Sequence, residues 1–379
     1  MFVKKIKVLV VDDTIVYRKA VSDILSEMPG IEVVGVAHNG KIAVSKIQTL
    51  KPDLLTLDIE MPEMNGIEVL QYLQQHAPQI SAIMVSTLTS EGGDMTMRAL
   101  ELGAYDFILK PSATNIEESK KHLRTLLTPL IKAFQTGRTT IGSLQAGARS
   151  GVLARKTTTA AETRTLPTTS TDRKIIASGT GTTIRRQGKS EIVTIGISTG
   201  GPNALARMMP MLPGDLGVPV VIVQHMPPVF TKSLANSLNA KCALTVKEAQ
   251  DGEAIQANVV YIAPGGKQMK LVASADGSNR LIKITDDPPE NSCKPSADYL
   301  FRSIADYYVG RATAVIMTGM GSDGTKGLQI LKQKGTLIIG QNEASCVVYG
   351  MPKAPAELGL IDVVVPLDKI AGEIVKSIK

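Results

Sequence analysis

Two stretches of this 379-residue chain alternate short apolar runs with amphipathic segments, and a polar stretch separates them. In the first, apolar runs at 6–11, 32–37, 53–57, 80–85 and 104–109 have the length and composition of buried strands. The segments 14–27, 40–50, 64–74, 92–101 and 115–134 place apolar residues at helical spacing. Five strand–helix repeats within residues 1–134 predict a doubly wound parallel sheet of the α/β class. In such sheets ligands sit beyond the carboxyl ends of the strands, where the strand order switches.

A second α/β stretch covers 191–379. EIVTIGIS predicts a buried strand that runs through a Gly-rich turn into the helix NALARMMPML, and VPVVIVQH predicts a second strand with a polar end. KCALTVKEA, VVYIAPGG, KLVAS and RLIKIT are shorter and predict a hairpin-rich insertion. The helix SADYLFRSIADYY, the strand ATAVIMT, the helix TKGLQILKQK, the strands GTLIIGQ and IDVVV and a helix over 367–378 complete a second doubly wound domain. Residues 135–190 differ, being rich in Thr, Ser, Gly and Arg with little apolar periodicity. Such a segment buries too little surface to offset its ordering entropy, so a flexible linker is predicted there.

Charge sharpens this division. The formal net charge is +7, which invites a nucleic-acid reading. Residues 1–137 hold 14 basic and 16 acidic side chains, 138–189 hold 10 and 2, and 190–379 hold 18 and 17. The excess of +8 therefore lies in the linker, and the flanking domains are near neutral at −2 and +1. No helix-turn-helix segment is evident, and aromatics at 3 % are too few for stacking on single strands, so no DNA partner is expected. No apolar run reaches about 18 residues, which predicts no membrane span. The opening MFVKKIKVLVVDD lacks the small-residue cleavage site of a signal peptide. Cys242, Cys293 and Cys346 form neither a disulfide framework nor a metal spacing, and a reducing cytoplasm is expected.

The strand ends of the first domain carry reactive groups. Asp12 and Asp13 follow the first strand, Asp58 the third, Ser86 the fourth, and Lys110 with Pro111 the fifth. In a sheet ordered 2-1-3-4-5 the first and third strands are neighbours, so the three carboxylates converge. Like charges at that range call for a hard cation, and Mg2+ suits oxygen ligands while keeping positions for water and phosphate. Ser86 and Lys110 stand where they can hold phosphoryl oxygens on Asp58. A cis Lys110–Pro111 bond would aim the ammonium at the site. A single aspartate at a strand end is more simply a helix cap, but that does not explain four reactive ends together. On VVDD, LDIEMPEMNG, MVSTLT and GAYDFILKPS, residues 5–127 resemble response-regulator receiver domains. The resemblance implies Asp58 as phosphoacceptor and Mg2+ held by Asp12, Asp13, Asp58 and the Glu60 backbone carbonyl. It places Ser86 and Phe107 at the switch positions, with Lys110 beside them.

In the second domain, Gly196-Ile197-Ser198-Thr199-Gly200-Gly201 joins a buried strand to a helix. Small residues allow a sharp turn that exposes Ser198 at the helix N-terminus, where free N–H groups favour negative charge. A Walker loop would need a following lysine, and a dinucleotide loop would need an acid at the end of the next strand, where His225 stands instead. A nucleophile turn related to GxSxG fits Gly196, Ser198 and Gly200. His225 is the one histidine of residues 190–379 and falls on the same sheet edge; His38, His76 and His122 read as ordinary surface or core groups. Asp323 lies in a third strand-end loop, Gly319-Met320-Gly321-Ser322-Asp323-Gly324. It reads either as a helix cap or as the group that orients His225. Serine needs such a base to act as a nucleophile, and the Met320 backbone N–H is a candidate oxyanion donor.

On IGISTGGP, VIVQHMPP, YIAPGG, KPSADYLFRSIA, MTGMGSDGTKG and MPKAP, residues 191–377 resemble the catalytic domain of the chemotaxis protein-glutamate methylesterases. The resemblance implies Ser198 as nucleophile, His225 as base and Asp323 as its partner, with Thr199 and Met320 lining the site. It also implies hydrolysis of glutamate γ-methyl esters on chemoreceptors, deamidation of receptor glutamines, and a chemotaxis histidine kinase as phosphodonor. No cofactor is expected in the catalytic domain. Joined by a linker, the unphosphorylated receiver is expected to cover the Ser198 cleft. Two other readings stay open: a response regulator whose second domain only binds a partner, and a generic serine esterase.

Overall fold

A computed structural model describes residues 5–111, 116–150 and 188–379. The first unit runs β1 (Ile6–Val11), α1 (Ile15–Ser26), β2 (Ile31–Ala37), α2 (Gly40–Leu50), β3 (Leu54–Asp58), α3 (Gly66–His76), β4 (Ser81–Ser86), α4 (Ser90–Glu101), β5 (Asp106–Leu109) and α5 (Ile116–Ser150). Its five strands are parallel in the order β2-β1-β3-β4-β5. Val8, Leu9, Val10 and Val11 are all buried, because helices cover both faces of a parallel sheet and a central strand has no solvent side. The order in which strands are added reverses between β1 and β3, which puts the ends of both strands in one crevice.

The second unit runs β6 (Ile192–Ile197), α6 (Gly201–Met208), β7 (Val220–Gln224), α7 (Phe230–Asn239), β8 (Thr245–Glu248), β9 (Val259–Ile262), β10 (Gln268–Ala273) and β11 (Arg280–Thr285). It continues through α8 (Ala297–Tyr307), β12 (Ala312–Ile316), α9 (Thr325–Gln333), β13 (Leu337–Gln341), α10 (Lys353–Glu357), β14 (Val363–Val365) and α11 (Leu367–Ile378). Seven strands form a parallel sheet ordered β14-β13-β12-β6-β7-β9-β8. Its switch point lies between β6 and β12, with β7 alongside.

Three expectations are corrected. The hairpin insertion is smaller than predicted: β8 and β9 join the main parallel sheet, and only β10 and β11 pair antiparallel. Val260, Tyr261 and Ile262 are buried in succession, the signature of a strand covered on both faces. The helix predicted to end at 134 continues to Ser150, so the linker predicted from 135 begins as helix. Extending a formed helix needs no new nucleus, so weak apolar periodicity does not stop it. Residues 151–187 of that linker lie outside the described residues. Finally, the Lys110–Pro111 bond is trans. Lys110 is the residue after β5 and reaches the pocket from the strand end itself.

The two units pack together. One hydrophobic cluster runs from Met97, Leu100 and Ala104 of the first into Leu205, Leu234 and Leu238 of the second. Among the described residues no helix is long and apolar enough to cross a membrane.

Candidate active site

The turn after β6 is fixed by backbone bonds on both sides. Ser198 N–H donates to Thr318 O at 3.0 Å, Gly201 N–H to Ser198 O at 2.7 Å, and the Gln224 amide to Ser198 O at 3.0 Å. Gly200 has φ +74°, and a Cβ at Gly201 would lie 1.9 Å from Gln224 Oε1. The side chains of Gln224 and Val347 therefore approach as closely as glycine permits. Ser198 is left half-exposed ahead of α6. The loop after β12 passes against it, since a Cβ at Gly319 would meet the Ser198 Cβ at 2.7 Å.

His225 is held to this edge by its N–H bond to Ile197 O at 3.1 Å. Its Nε2 donates to Asp323 Oδ2 at 2.8 Å. Asp323 is 2 % exposed and does not cap its own helix, whose N-cap is Gly324 with φ 92°. It closes the N-terminus of α8 instead, accepting from Ala297 N–H at 2.6 Å, Ser296 Oγ at 2.7 Å and the Asn291 amide at 2.9 Å. Burial works against that charge, but the His225 bond and charge, with the Ser296 and Ala297 bonds, bring its pKa down to about 2. Burial likewise opposes the charge on His225, yet Asp323 and the Cys293 sulfur carry its pKa up to about 9. Among the described residues no hydrogen bond joins the Ser198 hydroxyl to His225. The imidazole gives Nε2 to Asp323 and turns Nδ1 toward Cys293 Sγ, 3.6 Å away.

The first unit brings Asp12, Asp13 and Asp58 together, with one oxygen of each within 4.8 Å of the others. Lys110 Nζ lies 2.7 Å from Asp58 Oδ2 and 3.1 Å from Asp12 Oδ2. Burial pushes the Asp58 carboxyl up to about 6; Lys110 pulls it down and Asp12 adds to the rise. A pocket of three crowded carboxylates with one ammonium suits a hard divalent cation. The Glu60 carboxylate stands outside this cluster and accepts from Thr87 Oγ1 at 3.3 Å. Ser86 Oγ is turned to α4, donating to Gly92 O at 3.3 Å and accepting from Thr96 Oγ1 at 2.8 Å.

The units meet at the Ser198 turn. Phe107 stacks on Phe230 with ring centroids 4.8 Å apart. The Asn203 amide donates to Ala104 O at 3.1 Å, and Glu101 binds Ser237 and Lys241. Asp106 is buried, which pushes its carboxyl up to about 7; hydrogen bonds from Phe107 N–H, Gly200 N–H and the Thr199 hydroxyl act the other way. Met320 packs against the first unit's core. Thr199, next to Ser198 in sequence, and Met320, next to Gly319, thus both touch the first unit.

Residues 193–374 match the family model described as CheB methylesterase, and residues 8–121 match the response regulator receiver domain. A Desulfotalea psychrophila protein named protein-glutamate methylesterase/protein-glutamine glutaminase is 60 % identical over 376 residues, 99 % of each chain. The chain belongs to the CheB methylesterase family. A Bacillus subtilis member with the same printed name is 43 % identical over 375 residues, again 99 % of each chain. The CheB methylesterase catalytic domain of Thermotoga maritima is 43 % identical, with a TM-score of 0.48, covering 50 % of this chain and 98 % of that one. The response regulator domain of Thermotoga maritima CheB is 42 % identical, with a TM-score of 0.30, covering 34 % of this chain and 95 % of that one.

In this CheB-family chain, the sequence alone set Cys293 aside with the other cysteines and gave no role to Asn291, Ser296, Asp106 or Phe230. Ser296 had a usable signal, since a serine opening SADYLF is an N-cap pattern and a cap marks where a helix N-terminus points.

Proposed function

We propose that the chain hydrolyses glutamate γ-methyl esters on chemoreceptors, releasing methanol, and deamidates receptor glutamines, under the control of Asp58 phosphorylation. The observation that carries this reading is the buried Asp323 holding His225 at 2.8 Å on the sheet edge that presents Ser198. The Ser198 hydroxyl attacks the γ-carbonyl and its proton passes to His225. With Nε2 bonded to Asp323, the accepting nitrogen is Nδ1. Asp323 and the Cys293 sulfur favour the protonated ring, and catalysis uses the form with Nδ1 free. Asp323 stabilises the imidazolium through Nε2. The oxyanion is held by backbone N–H groups at the start of α6 and by that of Met320 in the loop after β12. Collapse expels methanol, or ammonia from a glutamine, with the proton returned by His225. Water then attacks the acyl-enzyme, again with His225 as base, and frees Ser198 and the glutamate.

In the receiver, Asp58 takes a phosphoryl group from a chemotaxis histidine kinase. Asp12, Asp13 and Asp58, with the Glu60 carbonyl, would hold Mg2+, which would supply charge neutralisation to the transfer. Phosphorylation replaces the Lys110–Asp58 ion pair, and Ser86 and Phe107 respond. Phe107 then leaves Phe230, and the receiver uncovers the Ser198 turn. The protein works in the cytoplasm, without membrane insertion and without DNA.

Replacing Ser198 tests the reading. Ser198→Ala should keep the fold and lose at least about a thousandfold in methanol release from methylated receptor membranes. Activity near the parent's would remove the serine mechanism.

A further inference from the structure

The loop between β11 and α8 places a thiol against the imidazole of His225. Cys293 Sγ lies 3.6 Å from Nδ1, the nitrogen that Asp323 does not use. One ligand atom each from His225, Cys293 and Asp323 falls within 4.8 Å of the others. Three features match a metal centre. Zinc–sulfur and zinc–nitrogen bonds of about 2.3 and 2.0–2.1 Å at a tetrahedral angle set the two ligand atoms about 3.5–3.6 Å apart. A histidine that ligates through one nitrogen characteristically donates its other N–H to a carboxylate, as Nε2 does to Asp323. Cys293 is half-exposed and the His225 side chain is 13 % exposed, so an ion has an approach from solvent.

We propose that Cys293 Sγ and His225 Nδ1 form a reversible site for a borderline-soft divalent cation of the Zn2+ class, backed by Asp323, whose occupation silences the esterase. Binding forms one metal–sulfur and one metal–nitrogen bond. The thiol proton and any proton on Nδ1 leave to solvent, and no oxidant or reductant takes part. A metal on Nδ1 removes the lone pair that would take the Ser198 proton. The receiver pocket, with oxygen ligands alone, prefers a harder ion such as Mg2+, so the two sites sort cations by ligand type. The inhibitory consequence rests on the reading of His225 as the base; metal binding does not.

Cobalt(II) separates the two. Added to the full, reduced, chelator-stripped chain, it should give a thiolate-to-cobalt charge-transfer band that saturates at one equivalent. Cys293→Ser should lack the band, although Cys242 and Cys346 remain, and cobalt in the all-oxygen receiver pocket contributes none. His225→Gln should keep a band but need at least tenfold more cobalt. Saturating Zn2+ should slow methanol release at least tenfold, with recovery on chelation. In Cys293→Ser, compared with its own chelated rate, at least tenfold more Zn2+ should be required. No band in the parent, or a band unchanged in Cys293→Ser, would overturn the site. Cobalt ligation with no esterase activity in any variant would instead count against the function.

Discussion

Asp323 joins two tasks in one carboxylate: it closes the N-terminus of α8 and fixes the ring of His225. Asp323→Asn keeps the size but presents a neutral amide to a ring of donors. It is expected to lower the rate about 10³–10⁴-fold, as loss of the orienting acid does in serine triads, and to lower the melting temperature. Methanol release and thermal unfolding measured together check this; a loss below tenfold would leave Asp323 as a helix cap alone. Ser198, His225 and Asp323 were legible because each follows a strand whose apolar run is unmistakable. Cys293 was not, since only the long path through β10 and β11 returns it to His225, 68 residues from it in sequence. Asp106 was read merely as one letter of a motif, because its partners Thr199 and Gly200 belong to another domain.

Strand β5 links the Asp58 pocket to the Ser198 turn. It carries Asp106 and Phe107, and it ends one residue before Lys110. A stacked aromatic pair adds about 0.5–1.5 kcal/mol beyond its buried area. Phe107→Ala should therefore raise the methanol release seen without phosphodonor about two- to tenfold; an unchanged rate would separate Phe107 from the control of Ser198. Asp106 adds a pH dependence. Its carboxyl is raised from 3.8 to about 7 in the packed chain, so the packed form holds an extra proton between those values. Packing should be tightest on the acid side, weaken as pH rises toward about 7, and level off above it. Solution X-ray scattering should give a larger radius of gyration at pH 8 than at pH 5, and Asp106→Asn should remove the difference. Equal values in the parent would contradict the reading. The element order was legible from periodicity alone in the first domain. Strands β8 and β9 were misplaced because four-residue strands such as TVKE and VVYI look alike in a hairpin and in a parallel sheet, and the length of α5 was missed because a helix once formed extends through indifferent sequence.

For the whole molecule, net charge is a poor guide and its distribution a better one. The +8 of residues 138–189 belongs to the segment between the domains, while the domains that meet at the Ser198 turn sum to −1. The contact between them is made of a stacked aromatic pair, a buried acid and a shared apolar cluster. No single sequence window contains both sides of it, which is why covering of Ser198 was expected from the domain order but its residues were not. That contact joins the Asp58 pocket to the Ser198 turn, so phosphorylation at the first should govern hydrolysis at the second. The direct measurement is methanol release from methylated receptor membranes by the full chain, with Mg2+, before and after a small-molecule phosphodonor such as acetyl phosphate. The rate should rise several-fold on addition, toward that of residues 188–379 alone, and should not rise in Asp58→Asn. Equal rates with and without phosphodonor, or an equal rise in Asp58→Asn, would contradict it.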